Sequence, residues 1–158
     1  MGHRVALTAV ATATVVGVLG CGTTKSGSTG PALNVATGFI DAVRANDASG
    51  ACSMTTAKAR HDLARLLRQS GAPRETNVCA QPTIASRKVR AAAMRPFLGI
   101  LGFTKDTSSG GSSESRSKAT EWSQSADGRY AVVVVSRHAA DGLLVDSIRL
   151  EASCRACR

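Results

Sequence analysis

Aromatic residues are scarce in this sequence. One Trp, one Tyr and three Phe among 158 residues give an aromatic content of 3%. The hydrophobic core therefore has to be built from Ala, Val, Leu and Ile, which bury less surface per side chain than an aromatic residue does. The length is sufficient for one domain, and the composition limits that domain to a modest core.

Residue patterns of several catalytic classes are also missing. The sequence shows no Ser/His/Asp order, no glycine-rich phosphate motif and no cluster of metal ligands. Only His61 and His138 follow the first twenty residues, and no spacing connects them with a cysteine pair into a four-ligand zinc site. We therefore expect no metal and no cofactor, and we favour a protein that is not an enzyme.

The apolar run at the start of the chain is too short to cross a membrane. It extends over fifteen residues, from Val5 to Leu19, whereas a membrane-spanning helix takes about 20. Its length, with His3 and Arg4 before it, is typical of a signal-peptide core. Residues 1–20 are therefore predicted to be an export signal.

The end of that run has a recognisable pattern, Val18-Leu19-Gly20-Cys21. It resembles the lipobox of bacterial lipoproteins, in which an apolar, a variable and a small residue precede an obligatory cysteine. The resemblance implies that Cys21 becomes the mature N-terminus and carries a diacylglyceryl group with fatty acids such as palmitate. Two acyl chains give stable anchoring, so we expect the protein on the outer face of the cell membrane. The alternative is a secreted or membrane-tethered protein in which Cys21 is removed or pairs with another thiol.

Residues 21–31 are rich in Gly, Ser and Thr and are predicted to form a flexible tether. Four cysteines follow the tether, Cys52, Cys79, Cys154 and Cys157, and an even number in an oxidising compartment indicates two disulfides. Of the three pairings that four cysteines allow, we favour Cys52 with Cys79 and Cys154 with Cys157.

The last two cysteines, Cys154 and Cys157, also have the spacing of thiol–disulfide oxidoreductases. Redox catalysis is therefore an alternative function for this pair. Only Arg158 follows in the sequence, which leaves no residues for the helix that lowers the first thiol's pKa in such proteins. We expect a structural disulfide or two free thiols there.

Positive charge is concentrated in the middle of the chain. The formal net charge is +9, and nine Lys or Arg lie between Lys58 and Arg95, against Asp62 and Glu75. Such charge attracts anionic lipid headgroups, acidic polymers or nucleic acid. Export makes nucleic acid the least suitable of these, so we expect no nucleic-acid partner.

Apolar residues at helical spacing predict a helix over about 31–46 and a short second helix that carries Cys52. Thr56 is typical of a helix N-cap and Gly71 of a helix end, which predicts a third helix between them. Its cations lie opposite its apolar residues. They form a candidate basic surface, either solvated or lying on anionic headgroups: Lys58, His61, Arg65 and Arg68.

The region after the third helix is harder to assign. Residues 86–95 predict a helix, with part of a strand over 82–93 as the less favoured alternative. Residues 97–103 are apolar but contain two glycines, which predicts a strand with a bulge or a loop against the core. Residues 104–118 have no apolar residue to bury and are predicted to be a disordered insertion.

Two Asp-Gly pairs, at 127–128 and 141–142, are typical of hairpin turns. They separate three predicted strands, over 119–125, 129–137 and 143–151, which form an antiparallel meander. Helices followed by such strands indicate an α+β fold, with the N-terminal helices packed on a curved antiparallel sheet over residues 32–158.

Two stretches carry a further resemblance, FIDAVRANDASGACSMTTAKARHDL and EWSQSADGRYAVVVVSRHAADGLLVDSIRL. With a cysteine between them, Cys79, they resemble the small NTF2-like (cystatin-like, cone-shaped α+β) lipoproteins of actinobacteria. The resemblance implies that helices wrap a sheet around a pocket, and that Cys52 pairs with Cys79. The insertion at 104–118 departs from the family pattern, and the region 82–103 leaves one strand of the family's sheet unplaced.

Enzymes of that family place carboxylate, histidine or tyrosine side chains inside the cone. The candidates here are Asp146, Tyr130 and His138, and Trp122 is a candidate for the pocket lining. Strand alternation places Asp146 on one face with Leu144, Ile148 and Leu150, where burial would raise its pKa toward that of a general base. The alternatives are that Asp146 pairs with an arginine or lies at the sheet edge, and that Trp122 and Tyr130 fill the core.

The sequence thus predicts a lipid-anchored protein of the cell envelope. We favour a non-enzymatic binding or accessory domain for a partner protein or a small hydrophobic ligand. The alternatives are an isomerase- or lyase-like enzyme that uses Asp146, and a thiol redox protein that uses Cys154 and Cys157.

Overall fold

The computed structural model of the protein describes residues 30–74, 77–102 and 107–153. Within these ranges the chain forms four α-helices, a 3-10 turn and four strands. The helices are α1 (Pro31–Ala45), α2 (Ala48–Ser53), α3 (Ala57–Gln69) and α4 (Arg87–Met94), and the 3-10 turn is Arg95–Phe97. The strands are β1 (Thr107–Glu114), β2 (Lys118–Ser125), β3 (Tyr130–His138) and β4 (Gly142–Glu151).

Local side-chain caps explain where three of the helices begin. Asp47, Thr56 and Ser86 precede α2, α3 and α4, and each side chain accepts a hydrogen bond from the backbone N–H three residues on. Each cap thus satisfies an N–H group that has no partner inside its helix. The predicted start of the third helix at Thr56 is confirmed, and the helix favoured over 86–95 is confirmed as α4.

The four strands form one antiparallel sheet in the order β1-β2-β3-β4. The helices pack on one face of it, where Ala131, Val133 and Val135 of β3 join the buried core that includes Phe39 and Leu63. The α+β class, with helices on an antiparallel sheet, is therefore confirmed. The chain between Phe97 and Gly102 forms turns beside this core, as the loop alternative for that stretch predicted.

The prediction of a disordered insertion is wrong over Thr107–Glu114, which forms β1 and pairs with β2 along its length. A strand forms there without apolar side chains because its backbone is hydrogen-bonded to the backbone of β2. Gly111 also makes room for a neighbour: a Cβ atom at this position would lie 3.0 Å from the indole of Trp122. The indole thus covers a part of β1 that has no side chain of its own.

The face predicted for Asp146 is also wrong. The register of β3 and β4 shifts between Val134, which pairs with Ser147, and Val135, which pairs with Val145. Asp146 is therefore the extra residue of a β-bulge, which breaks the alternation on which the prediction depended. Val145 and Ile148 are the residues buried in the core at this point.

The far edge of β4 is covered by the chain itself. Thr55 forms a parallel bridge with Val145, whose N–H donates to the carbonyl of Met54 at 2.8 Å. The N–H of Thr56 donates in turn to the carbonyl of Val145 at 3.0 Å. The connection between α2 and α3 is thereby fixed to the sheet. In the part of the chain that the structure describes, no helix has the length and apolarity needed to cross a membrane.

Candidate functional site

The helix α3 separates apolar from basic residues as predicted. Its core side carries Ala59, Leu63, Leu66 and Leu67, all buried. The candidate basic surface lies on the solvent side, and all four of its residues are exposed: Lys58, His61, Arg65 and Arg68.

Two of these four basic residues have carboxylate partners. The Nζ atom of Lys58 lies 3.6 Å from Asp146, and Arg65 donates to Asp62 at 2.9 Å. The second oxygen of Asp62 accepts from the backbone N–H of Ile148 at 3.3 Å, which connects α3 to β4. The charges of Lys58 and Arg65 are therefore locally balanced.

The remaining cations of this region line a groove of about 500 Å³ between α3 and the chain that follows it. Arg60, His61 and Arg68 come from α3, and Arg74 comes from the opposite wall, where Asn77 adds a side-chain amide. Among the described residues that line this groove, none carries a carboxylate. We call it the basic groove.

A disulfide fixes the far wall of the basic groove. Cys52 of α2 is bonded to Cys79, with Cα atoms 5.9 Å apart, so the favoured pairing of these two cysteines is confirmed. Val78 beside it is buried in the core. The disulfide and Val78 together hold the wall that carries Arg74 against the helical layer.

Arg60 is held in one orientation at the centre of this region. Its Nη2 atom donates to the carbonyls of Cys52 at 2.9 Å and Thr55 at 3.1 Å, and its Nε atom donates to the Thr55 hydroxyl at 3.4 Å. An arginine has five N–H donors, and the two on Nη1 have no hydrogen-bond partner among the residues described. Arg60 therefore presents a fixed, unused pair of donors.

Sequence reasoning missed Arg60 and Arg74. At 100° per residue Arg60 falls outside the arc of the other α3 cations, toward the side where the chain returns. Arg74 lies beyond the helix end, in a segment that is held beside the helical layer by the bond from the Ala72 N–H to the Leu67 carbonyl, by buried Val78 and by the disulfide. The spacing of residues along a single helix therefore does not predict that Arg60 or Arg74 belongs to the groove.

The structure does not bring the four predicted pocket residues together. Asp146 lies at the surface beside Lys58, so its partner is a lysine and not the arginine that the alternative named. Trp122 and Tyr130 have ring centroids 5.9 Å apart and pack with Val132 and Val134 on the sheet face away from the helical core. His138 lies at the opposite end of β3 from Tyr130.

His138 lines a separate groove of about 620 Å³ together with Thr55, Arg60 and Asp141. Its Nε2 atom is buried and has no hydrogen-bond partner in the described chain. This groove adjoins the basic groove through Arg60, which lines both. His138 is thus near the cationic region but not in the predicted pocket.

Glu121 is a buried carboxyl group that the sequence did not single out. It is 4% exposed and pairs with Val133, which places it on the helix-facing side of β2. Burial, and in second place the nearby carboxylate of Glu114, raise the pKa of Glu121 to about 7. From the sequence alone, the apolar Trp122 would be expected to face the core. Because neighbouring residues of a strand face opposite sides, Glu121 would then be expected to face away from the core.

Several predicted features lie outside the described residues: the signal peptide, Cys21, and the pair Cys154 and Cys157. Within the described ranges, no group of three His, Cys, Asp or Glu side chains is placed to hold a metal ion. Comparisons with protein-family models, with curated proteins and with solved structures find no match to this chain. The lipobox and the NTF2-like resemblance therefore stay predictions.

Proposed function

We propose that this chain is a lipid-anchored, non-enzymatic binding domain of the cell envelope whose basic groove binds an anionic group. One observation carries the proposal: Arg60, His61, Arg68 and Arg74 line the same groove, and no carboxylate is among the other lining residues that the structure describes. Like charges brought close together repel each other and destabilise the fold. An anion in the groove would remove that repulsion.

The type of cation supports an oxyanion as the bound group. Guanidinium groups bind phosphate and carboxylate through two parallel hydrogen bonds, which ammonium groups do not. Arg60 has lost most of its freedom through its bonds to Cys52 and Thr55, so little further entropy is lost on binding. A phosphate of a lipid headgroup or an acidic segment of a partner protein has this chemistry.

The proposed anchor would keep the groove near the membrane. The helix α1 begins at Pro31, ten residues after Cys21. Ten residues span at most about 35 Å when fully extended. A lipid on Cys21 would therefore confine the domain to the region where headgroups and envelope proteins are found.

The finer fold assignment belongs to the same proposal. Helices on one face of an antiparallel sheet, and a disulfide within the helical layer, support the NTF2-like resemblance. An enzyme that uses Asp146 has less support, because this side chain forms an ion pair with Lys58 in a bulge. The anion-binding domain is therefore the function that the geometry supports best.

The test is calorimetric titration of the full chain in a nonionic detergent. Two probes are used: glycerol phosphate, which has a headgroup phosphate without acyl chains, and a glutamate-rich peptide. We expect one of them to bind, and we expect Arg74→Ala and Arg60→Lys to weaken binding at least about tenfold. Arg60→Lys keeps the positive charge but removes the guanidinium group, which can donate two parallel hydrogen bonds to one anion.

Lys58→Ala and Arg65→Ala are matched controls, because each also removes one cation from α3. Their carboxylate partners already balance these charges, so affinity should stay within about twofold of the wild type. Equal losses for all four variants would mean diffuse attraction to a basic surface. Failure of both probes to bind would refute the groove as an anion site.

A further inference from the structure

The sheet has one covered edge and one open edge within the described chain. The connection between α2 and α3 pairs with β4, whereas β1 pairs with β2 alone. Residues 110–114 of β1 are exposed to solvent. An open edge presents unpaired backbone N–H and C=O groups, which are a template for another strand.

The register identifies which backbone groups face outward. The N–H of Ser115 donates to the carbonyl of Lys118 at 2.7 Å, so these two residues form a hydrogen-bonded pair. Antiparallel strands alternate bonded and non-bonded pairs, which makes Ser113 and Gly111 the next residues bonded to β2. The residues between them direct their N–H and C=O groups away from β2: Gly110, Ser112 and Glu114.

Over residues 110–114 this edge has no proline, lysine or bulge that would prevent pairing. Proteins protect open edges with proline, lysine, bulges or very short strands. The sequence of β1, TSSGGSSE, contains no proline and no lysine, and it is eight residues long. The irregularity of its register lies between Thr107 and Ser109, outside the outward-facing groups.

We propose that β1 pairs with β1 of a second copy of this chain, antiparallel and about a two-fold axis. The outward-facing groups are arranged symmetrically about Ser112, with Gly110 and Glu114 two residues to either side. In the dimer Ser112 faces its own copy, and each Gly110 faces a Glu114. Such self-complementarity is what a two-fold interface requires.

The charges of the strand permit this pairing. Glu114 is the charged residue of β1, and antiparallel pairing places the two Glu114 residues about 13 Å apart along the strands. That distance exceeds the Debye length of about 8 Å at physiological ionic strength. Pairing with a second copy therefore brings no like charges of this strand within screening distance.

The dimer joins two four-stranded sheets into one. Its interface consists of about six backbone hydrogen bonds and little apolar surface, which is typical of a weak association. Anchoring both copies in one membrane would raise their effective concentration. The pairing itself does not depend on the basic groove, because the groove lies in the helical layer.

The test compares Ser112→Pro with Ser112→Ala by sedimentation equilibrium of the full chain in density-matched detergent. Both changes remove the hydroxyl, but only proline removes the outward N–H. We expect the wild type and Ser112→Ala to dimerise with affinities within about twofold of each other, and Ser112→Pro to dimerise at least about tenfold more weakly. The β1–β2 ladder loses no bond in either variant.

Ser112→Lys is a second variant that keeps the N–H group and places two like charges opposite each other across the axis. We expect it to dimerise as weakly as Ser112→Pro, which keeps the test valid if the proline variant fails to fold. A wild type that stays monomeric at every concentration would overturn the proposal and leave the edge to a different partner. Dimers of equal affinity in all variants would place the interface elsewhere and overturn it too.

Discussion

The helical layer and the sheet of this domain are stabilised in different ways. The helical layer has a covalent connection, Cys52–Cys79, and most of its charged side chains are exposed. The sheet depends on its backbone ladders and on the buried valines of β3, and it holds a carboxyl group, Glu121, out of water. The basic groove should therefore respond to reduction of the disulfide, and the sheet to pH.

Removing the disulfide is expected to have the largest effect. The bond closes a loop with a sequence separation of 27, so Cys52→Ser with Cys79→Ser should lower the free energy of unfolding by about 3 to 4 kcal/mol. Urea unfolding measures this loss. Anion binding should fall as well, because the wall that carries Arg74 loses its connection to α2.

The control is the wild-type chain unfolded with and without a dithiol reductant, which should reproduce the loss without any substitution. A double variant that keeps wild-type stability would show that Val78 and the surrounding packing hold this wall unaided. The contrast between the two layers would then disappear.

The second prediction concerns the sheet and has a defined pH window. The folded-state pKa of Glu121 is about 7, above the ordinary value of 4.5. The folded state thus binds more protons than the unfolded state between these values, and stability falls as the pH rises through this range. Glu121→Gln removes the cost of ionising a buried carboxyl group. It should be more stable than the wild type at pH 8 by about 3 kcal/mol.

At pH 4.5 the wild type and Glu121→Gln should have nearly equal stability, because the native carboxyl group is then protonated. Glu114→Gln is the control that removes the neighbouring charge and leaves Glu121 in place. It should reduce the pH dependence only slightly, since burial is the larger cause of the raised pKa. Parallel stability profiles for the wild type and Glu121→Gln would contradict the assignment.

The predictions from sequence succeeded where the signal was local. Thr56 caps α3 through its own side chain. The Asp127-Gly128 pair makes the predicted turn, in which hydrogen bonds from Ser125 and Arg129 lower the pKa of Asp127. Such contacts involve residues at most four apart, so the sequence shows both partners at once.

The predictions failed where the cause was not local. Nothing in β1 indicates a strand, because its stability comes from β2 and from the indole over Gly111. The bulge at Asp146 is a difference in length between two paired strands, which no single strand reveals. The basic groove likewise needs Arg74, whose segment is held beside α3 by the turn after that helix, by Val78 and by the disulfide. The sequence therefore showed an excess of positive charge in the middle of the chain, but not the groove that gathers part of it.

The smallest effect is expected for an ion pair that connects the two layers, Lys58 with Asp146. Asp146→Asn should change the free energy of unfolding by less than about 0.5 kcal/mol, because exposed pairs gain little over solvation.

Asp62→Ala is the informative comparison, since Asp62 also lies between α3 and β4. Its side chain is more buried and accepts from Arg65 and from the backbone N–H of Ile148. A loss of about 1.5 kcal/mol is expected there. If urea unfolding instead gave Asp146→Asn the larger loss, Asp146 would be the carboxylate that holds the helical layer on the sheet.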